Sequence, residues 1–326
     1  MKKVILSHRY CDEAVERLQR EFQLVIAAEE GPDLPGALRR HADAEAVISF
    51  LSDPIDRASI SGLKKLKIIA NFAVGYNNID VARALERNVL VTHTPDVLTN
   101  ATADLAMALI LAVSRRLIEG DALVRSGRFR GWDAGLLLGK ELNGAILGIV
   151  GMGRIGLAAA LRARAFGMKV VFYSRSAKPV PERKYGFARV TFLELIRSAD
   201  VVSLHLPYSP GVRHLFNRDV FALMKKDAIF INTARGPLMD EAALADALEK
   251  NELFGAGLDV YEDEPAVNGK LTGLKNVVLL PHLGSATAAT RRAMAMMTVQ
   301  SVRQALSGKK PQHLIPEWKE KLKVTR

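Results

Sequence analysis

The sequence predicts an α/β fold made of two doubly wound parallel sheets. Three observations lead there. Short apolar, β-rich runs alternate with longer stretches of helical periodicity along most of the chain. A glycine-rich turn joins one of those runs directly to an Ala-rich helix. The length, 326 residues, is about twice the ~150-residue prior for one domain.

The first series of runs falls at residues 4–6, 24–26, 46–48, 68–70 and 89–91, each separated by helical patterning. Asn100 and Thr102 then give a polar start to an apolar periodic segment at 103–117, which reads as one long amphipathic helix bridging two domains. A second series follows at 145–150, 170–173, 201–204, 229–232, 256–260 and 277–280, enough for a six-stranded second sheet. Past Ser285 the pattern is helical over 288–306 and then polar and Lys-rich. That helix has no strands of its own, so it is expected to dock on the first domain. The expected division is a substrate domain at 1–98, a dinucleotide-binding domain at 99–286, and a returning helix and tail at 287–326.

Composition excludes several classes. With 49% hydrophobic and 25% charged residues the chain is neither disordered nor fibrous. Its longest apolar stretch, 105–113, is far below the ~20 residues that span a bilayer. The single cysteine, Cys11, forms no internal disulfide, and residues 4–6 are too short an apolar run for a signal peptide, so a cytoplasmic location is expected. The net charge of +11 is spread over Lys64, Lys65, Lys67, Arg115, Arg116, Arg291, Arg292 and the tail from Lys309. Aromatics are only 6%. This suits solvated faces and a small anionic ligand rather than nucleic acid.

Gly151, Gly153 and Gly156 form GxGxxG between the run ending at Val150 and the helical segment at 157–165. Such spacing permits a tight turn, close approach of a pyrophosphate, and close helix–strand packing, with helix N–H groups facing the anion. An NAD site usually places an acid about 20 residues further on, for the ribose 2′-OH. Here that position reads Ser174, Arg175, Ser176, and the first acid after the glycines is Glu182. A guanidinium and hydroxyls suit a 2′-phosphate. NADP(H) is therefore expected, with Lys178 as a helper and NAD(H) as the alternative.

Ligands of such sheets bind beyond the carboxyl ends of the strands. Those ends carry His205, Thr233, Arg235 with Gly236, Asp259 and His282, with Glu264 in the loop after Asp259. Reduction of a carbonyl beside a carboxylate needs a fixed cation, a proton donor and a group that keeps the donor charged. Arg235, His282 and Glu264 are the right types. His205, Glu264 and His282 lack the close spacing of a metal set, so no metal is expected.

With these residues in view, the chain resembles the D-isomer-specific 2-hydroxyacid dehydrogenase family, within it the glyoxylate and hydroxypyruvate reductases. The matching strings are NFAVGYNNID (71–80), LGIVGMGRIG (147–156), HLPYSPGVRHLFN (205–217), INTARGPLMDEAAL (231–244), GLDVYEDEP (257–265) and PHLGSAT (281–287). The resemblance implies a Rossmann cofactor domain inserted into a flavodoxin-like substrate domain. It implies that Arg235 orients substrate and cofactor, that His282 donates the proton with Glu264 as partner, and that the backbone N–H groups of Val74 and Gly75 hold the substrate carboxylate. Cofactor contacts are implied at Gly151, Gly153, Arg154, Ile155, Gly156, Ser174, Arg175, Ser176, His205, Pro207, Thr233, Ala234, Asp259 and Gly284. A homodimer is implied as well, with the helix near 101–117 and the segment holding Trp132 resembling the dimerising region.

Two departures stand out. Asn77 replaces a common Asp, and the usual Asp at 174 or 175 is missing. Glu264 stands where formate dehydrogenases usually have Gln, which argues against formate, and the end at Arg326 argues against a long-form phosphoglycerate dehydrogenase. The expected activity is NADPH-dependent reduction of small 2-oxo acids to D-2-hydroxy acids. The alternatives are a 2-ketogluconate-type sugar-acid reductase and a nucleotide-sensing, corepressor-like interaction protein.

Overall fold

A computed structural model of the chain describes residues 1–31 and 34–324. The chain divides into two compact units, residues 1–98 together with those from Ala286 onward, and Thr99–Ser285. Positions 325–326 of the tail lie outside the described residues.

The first unit holds a five-stranded sheet of β1 (Lys3–Leu6), β2 (Gln23–Ile26), β3 (Ala46–Ser49), β4 (Ile68–Asn71) and β5 (Leu90–Thr92). Every pairing is parallel and the order is β2-β1-β3-β4-β5, the flavodoxin-like arrangement. Because helices cover both faces, β1, β3 and β4 read as continuous apolar runs rather than alternating ones, and their residues are almost wholly buried. The helix Ala288–Leu306, capped by the Thr287 side chain, packs on the helix Asp12–Glu21 and on β4. Arg292–Glu13 and Arg303–Glu21 ion pairs link the two helices.

The tail departs from its polar reading. Pro316–Val324 is a helix, and Leu314, Ile315 and Trp318 are buried in the first unit's core. The Trp318 indole N–H donates to the Val89 carbonyl at 2.9 Å. Leu314 and Ile315 anchor the chain just before the helix, and Trp318 docks its first turn.

The second unit holds β6 (Ile146–Val150), β7 (Lys169–Tyr173), β8 (Ala188–Arg189), β9 (Val201–Leu204), β10 (Ile229–Asn232), β11 (Gly255–Leu258) and β12 (Val277–Leu279). Their order is β12-β11-β10-β9-β6-β7-β8, all parallel, which is the Rossmann arrangement with one strand added. The sheet has seven strands, not six. The strand the sequence did not announce, β8, is a two-residue exposed edge strand without the apolar run that marks the others; the strand added to the six of the Rossmann order is β12.

The helix expected at 103–117 runs instead over Thr99–Ser114, and a second one covers Leu117–Arg125. Arg116 takes a left-handed φ of 52° between them. Lys140 N–H donates to the Ser114 carbonyl at 2.7 Å, taking an acceptor the next helical turn would have used. Thr99–Ser114 packs within the second unit, against the helix Arg154–Ala165 and strands β10, β11 and β12. Gly255 and Gly257 of β11 make room, since a Cβ on either would lie 2.8–3.0 Å from Val113 or Leu109 side-chain atoms. Among the described residues, no helix is long and apolar enough to cross a membrane.

Candidate active site

The glycine turn and the His205 turn meet where the order of the second sheet reverses, between β6 and β9. Gly151 has a φ of 101°, and a Cβ there would sit 2.8 Å from His205 and Leu206 backbone atoms. At Gly156 a Cβ would lie 2.3 Å from the Gly151 carbonyl oxygen, so the helix beginning at Arg154 packs onto the turn only with glycine. Gly153, the N-cap of that helix, faces open space within 4 Å. An anion can approach there, and a side chain would fill the cradle.

The loop after β7 carries Ser174, Arg175 and Ser176. Ser174 Oγ donates to the Ser176 carbonyl at 2.9 Å, folding the loop on itself. Glu182 is occupied locally, its carboxylate accepting the Lys178 N–H at 2.7 Å. At the end of β10 the buried Thr233 Oγ1 has no partner among the described residues. An orphaned hydroxyl and an open glycine turn, both at strand ends of one sheet, fit a dinucleotide.

Arg235 stands on a turn fixed by Asn232, a fully buried residue. Asn232 donates from Nδ2 to the Arg235 carbonyl at 2.9 Å and accepts the Ala234 N–H at 3.0 Å. Gly236 follows, and the loop 261–262 lies so close that a Cβ would fall 1.8 Å from Tyr261 carbonyl atoms. This is why Arg–Gly, and not Arg followed by a larger residue, stands here.

His282 and Glu264 are brought together: Nδ1 of the imidazole is 2.9 Å from Glu264 Oε2. The other carboxylate oxygen of Glu264 accepts the Tyr261 N–H at 3.0 Å. Burial alone raises the Glu264 carboxyl, but the His282 hydrogen bond and charge, the Tyr261 amide and the Arg235 charge outweigh it and hold the group below its ordinary range. An ionised carboxylate only accepts, so His282 Nδ1–H donates and Nε2 is left for a ligand. His282 itself has a left-handed φ of 55°. Its turn is clamped by buried Asp259, which accepts the Leu283 N–H at 2.6 Å and the Gly284 N–H at 2.8 Å.

Arg235 is half-buried, and burial works against its charge while the Glu264 carboxylate supports it. Its guanidinium stays protonated over the whole working range. His205 differs from His282. Burial pushes its imidazole down to about 4, and its Nε2 is 2.9 Å from Ser203 Oγ, so at neutral pH it is uncharged.

In the first unit the 73–78 loop is fixed by its carbonyls. His93 Nδ1–H donates to the Val74 carbonyl at 2.9 Å, and Asn71 Nδ2 donates to the Gly75 carbonyl at 2.8 Å. The N–H groups of Val74 and Gly75 have no acceptor among the described residues. Asn71 also accepts from Ser49 Oγ at 3.0 Å. Asn78 donates to the Phe50 and Asp53 carbonyls at 3.0 and 2.9 Å. One partly buried amide network therefore ties the 50–53 loop to the 73–78 loop.

The structure thus gathers Arg235, Asp259, Glu264 and His282 on one loop cluster of the second unit, with Gly151, Gly153, Gly156, His205 and Thr233 at its strand ends. Arg154 and Ile155 open the helix after the glycines, Pro207 lies in the loop after β9, and Ala234 is part of the Arg235 turn. Trp132 is 87% exposed. Sequence reasoning missed Asn71, Asn78 and His93. It also missed Asn232 and Glu241, whose buried carboxylate accepts N–H groups from Glu262 and Asn268 and so braces the loop bearing Glu264. The available signal was a polar residue at the end of an apolar strand, and an acid on the first turn of an apolar helix.

Residues 107–284 match the profile of the D-isomer specific 2-hydroxyacid dehydrogenase, NAD binding domain. Glyoxylate reductase from Thermococcus litoralis is 42% identical over 318 residues, 96% of each chain. The crystal structure of a protein from Thermus thermophilus superposes with a TM-score of 0.89 at 44% identity, covering 96% of this chain and 99% of that one. An NADPH-dependent glyoxylate/hydroxypyruvate reductase from Sinorhizobium meliloti, solved with NADP and malonate, gives a TM-score of 0.86 at 32% identity, covering 97% of both chains. The chain belongs to the D-isomer-specific 2-hydroxyacid dehydrogenases, NAD(P)-dependent enzymes of 2-oxo and 2-hydroxy acid chemistry.

Proposed function

We propose that this enzyme reduces short 2-oxo acids, glyoxylate and hydroxypyruvate, to D-2-hydroxy acids with NADPH preferred over NADH. The observation that carries the reading is the 2.9 Å contact of His282 Nδ1 with Glu264 in the field of Arg235. A reduced nicotinamide, when bound, supplies the hydride that the keto carbon accepts. His282 gives a proton from Nε2 to the developing alkoxide, while its Nδ1–H is held by the Glu264 carboxylate, which fixes the orientation of the ring. Arg235 stabilises negative charge on the substrate carbonyl and carboxylate. The Val74 and Gly75 amides, with their carbonyls turned away to His93 and Asn71, bind the carboxylate. His205, uncharged at neutral pH, contributes contacts rather than a proton.

NADPH preference rests on Ser174, Arg175 and Ser176 and on the missing acid. The relative from Sinorhizobium meliloti, named for NADPH and bound to NADP, supports it. A homodimer is the assembly we infer, because Leu117, Ile118, Val124, Phe129, Trp132 and Leu138 are all exposed along one short stretch of chain. The deciding experiment is a panel of glyoxylate, hydroxypyruvate, 2-ketogluconate and pyruvate with NADPH and NADH side by side. The highest kcat/KM is expected for glyoxylate or hydroxypyruvate with NADPH. No oxidation of either cofactor with any acid would overturn the reading in favour of a nucleotide-sensing role.

A further inference from the structure

Arg189 is the one residue of β8 with a long polar side chain, and it uses that side chain on the loop after β7. Strand register pairs Arg189 with Phe172, two residues before Ser174. From there its guanidinium reaches across: Nε donates to the Ser174 carbonyl at 3.2 Å, Nη2 to the same oxygen at 3.0 Å, and Nη2 to the Arg175 carbonyl at 3.3 Å. Two consecutive carbonyls of one loop are thereby held by a single fork, while Ser174 Oγ closes the loop from the other side onto Ser176.

We propose that Arg189 is a positioning residue for cofactor selectivity, fixing the 174–176 backbone so that the Ser174 and Arg175 side chains and the Ser176 hydroxyl meet a ribose 2′-phosphate. The inference rests on the NADPH reading above. Its physical basis is threefold. An exposed loop with no other backbone ladder would sample many conformations, and ordering it on binding costs affinity. A planar fork bonding two carbonyls removes that cost in advance, which a lysine cannot do with the same geometry. Both carbonyl oxygens are also drawn onto a cation, so their negative ends are neutralised beside a site meant for a dianion. An unphosphorylated ribose gains little from either effect, so the gain is specific to NADPH.

The test measures KM and kcat with NADPH and with NADH for the wild type, R189A and R189K, beside the melting temperature of each. In R189A the NADPH KM should rise about tenfold, with the NADH KM and both kcat values within about twofold and the melting temperature nearly unchanged, because an exposed side chain is removed. R189K keeps the charge but not the fork and should stay within about threefold of R189A. An unaltered NADPH KM in R189A overturns the proposal, and so does full recovery in R189K, which would make the effect purely electrostatic. A wild type without NADPH preference overturns the cofactor reading first and this inference with it. A wild type that prefers NADPH and an R189A that still does to the same degree removes only the inference.

Discussion

Replacing Gly236 with alanine tests the geometry of the acid pair without touching either member. The added Cβ would lie 1.8 Å from the carbonyl carbon and oxygen of Tyr261 and 2.4 Å from the Glu262 nitrogen, whereas ordinary contact begins near 3.4 Å. The 261–262 backbone must therefore retreat by about 1.6 Å. That backbone cannot move alone: the Tyr261 N–H holds Glu264 Oε1, and Glu264 Oε2 holds His282. A displacement of this size breaks a 2.9 Å hydrogen bond, and misplacing catalytic groups by about 1 Å typically costs on the order of a hundredfold in rate. Overpacking a tight contact adds a stability cost of ~1–3 kcal/mol. The expected result for G236A is a kcat about a hundredfold below wild type, read from loss of NADPH absorbance with glyoxylate, and a lowered melting temperature. G273A is the control, since nothing lies within 4 Å of a Cβ at Gly273, and it should behave as wild type. A G236A enzyme with kcat within about fivefold of wild type would refute the claim that the 261–264 loop transmits the position of Gly236 to His282.

Further outcomes follow from the same contacts. Removing the proton donor in H282A should lower kcat by about a hundredfold to ten-thousandfold while the NADPH KM changes little, measured by steady-state kinetics. Glu264 has its carboxyl below the ordinary value of 4.5, so the stability it contributes is present above that pH and is lost as pH falls through the folded value. With a half-exposed pair the loss is under ~1 kcal/mol, and E264Q should show a flatter acid limb in urea titrations from pH 6 downward than wild type. In N71A the Gly75 carbonyl loses its donor and the 73–78 loop loses its link to Ser49. The oxo-acid KM should rise about tenfold with the NADPH KM unaltered, and N71D should fail to rescue it because a carboxylate has no N–H to give.

The amino-acid order by itself determined the two parallel sheets, because buried strands between covering helices read as short apolar runs such as 4–6 and 46–48, recurring between stretches of helical periodicity. It determined the glycine cradle too, since Gly151 and Gly156 sit where backbone meets backbone and any Cβ would collide. Arg235, Glu264 and His282 were legible as candidates from their places just past strand ends. What stayed hidden depends on distance in space. β8 is too short to carry a period, Trp318 sits among lysines, and the Ser114 carbonyl that ends its helix is taken by Lys140 from another part of the chain. The positioning side chains are hidden for the same reason: Asn71, Asn232, Glu241 and Arg189 each act through a hydrogen bond to backbone that only the folded chain brings within 3.5 Å. Local propensity and patterning choose the elements, whereas the partners of polar groups are chosen by packing, and packing is decided by the whole chain at once.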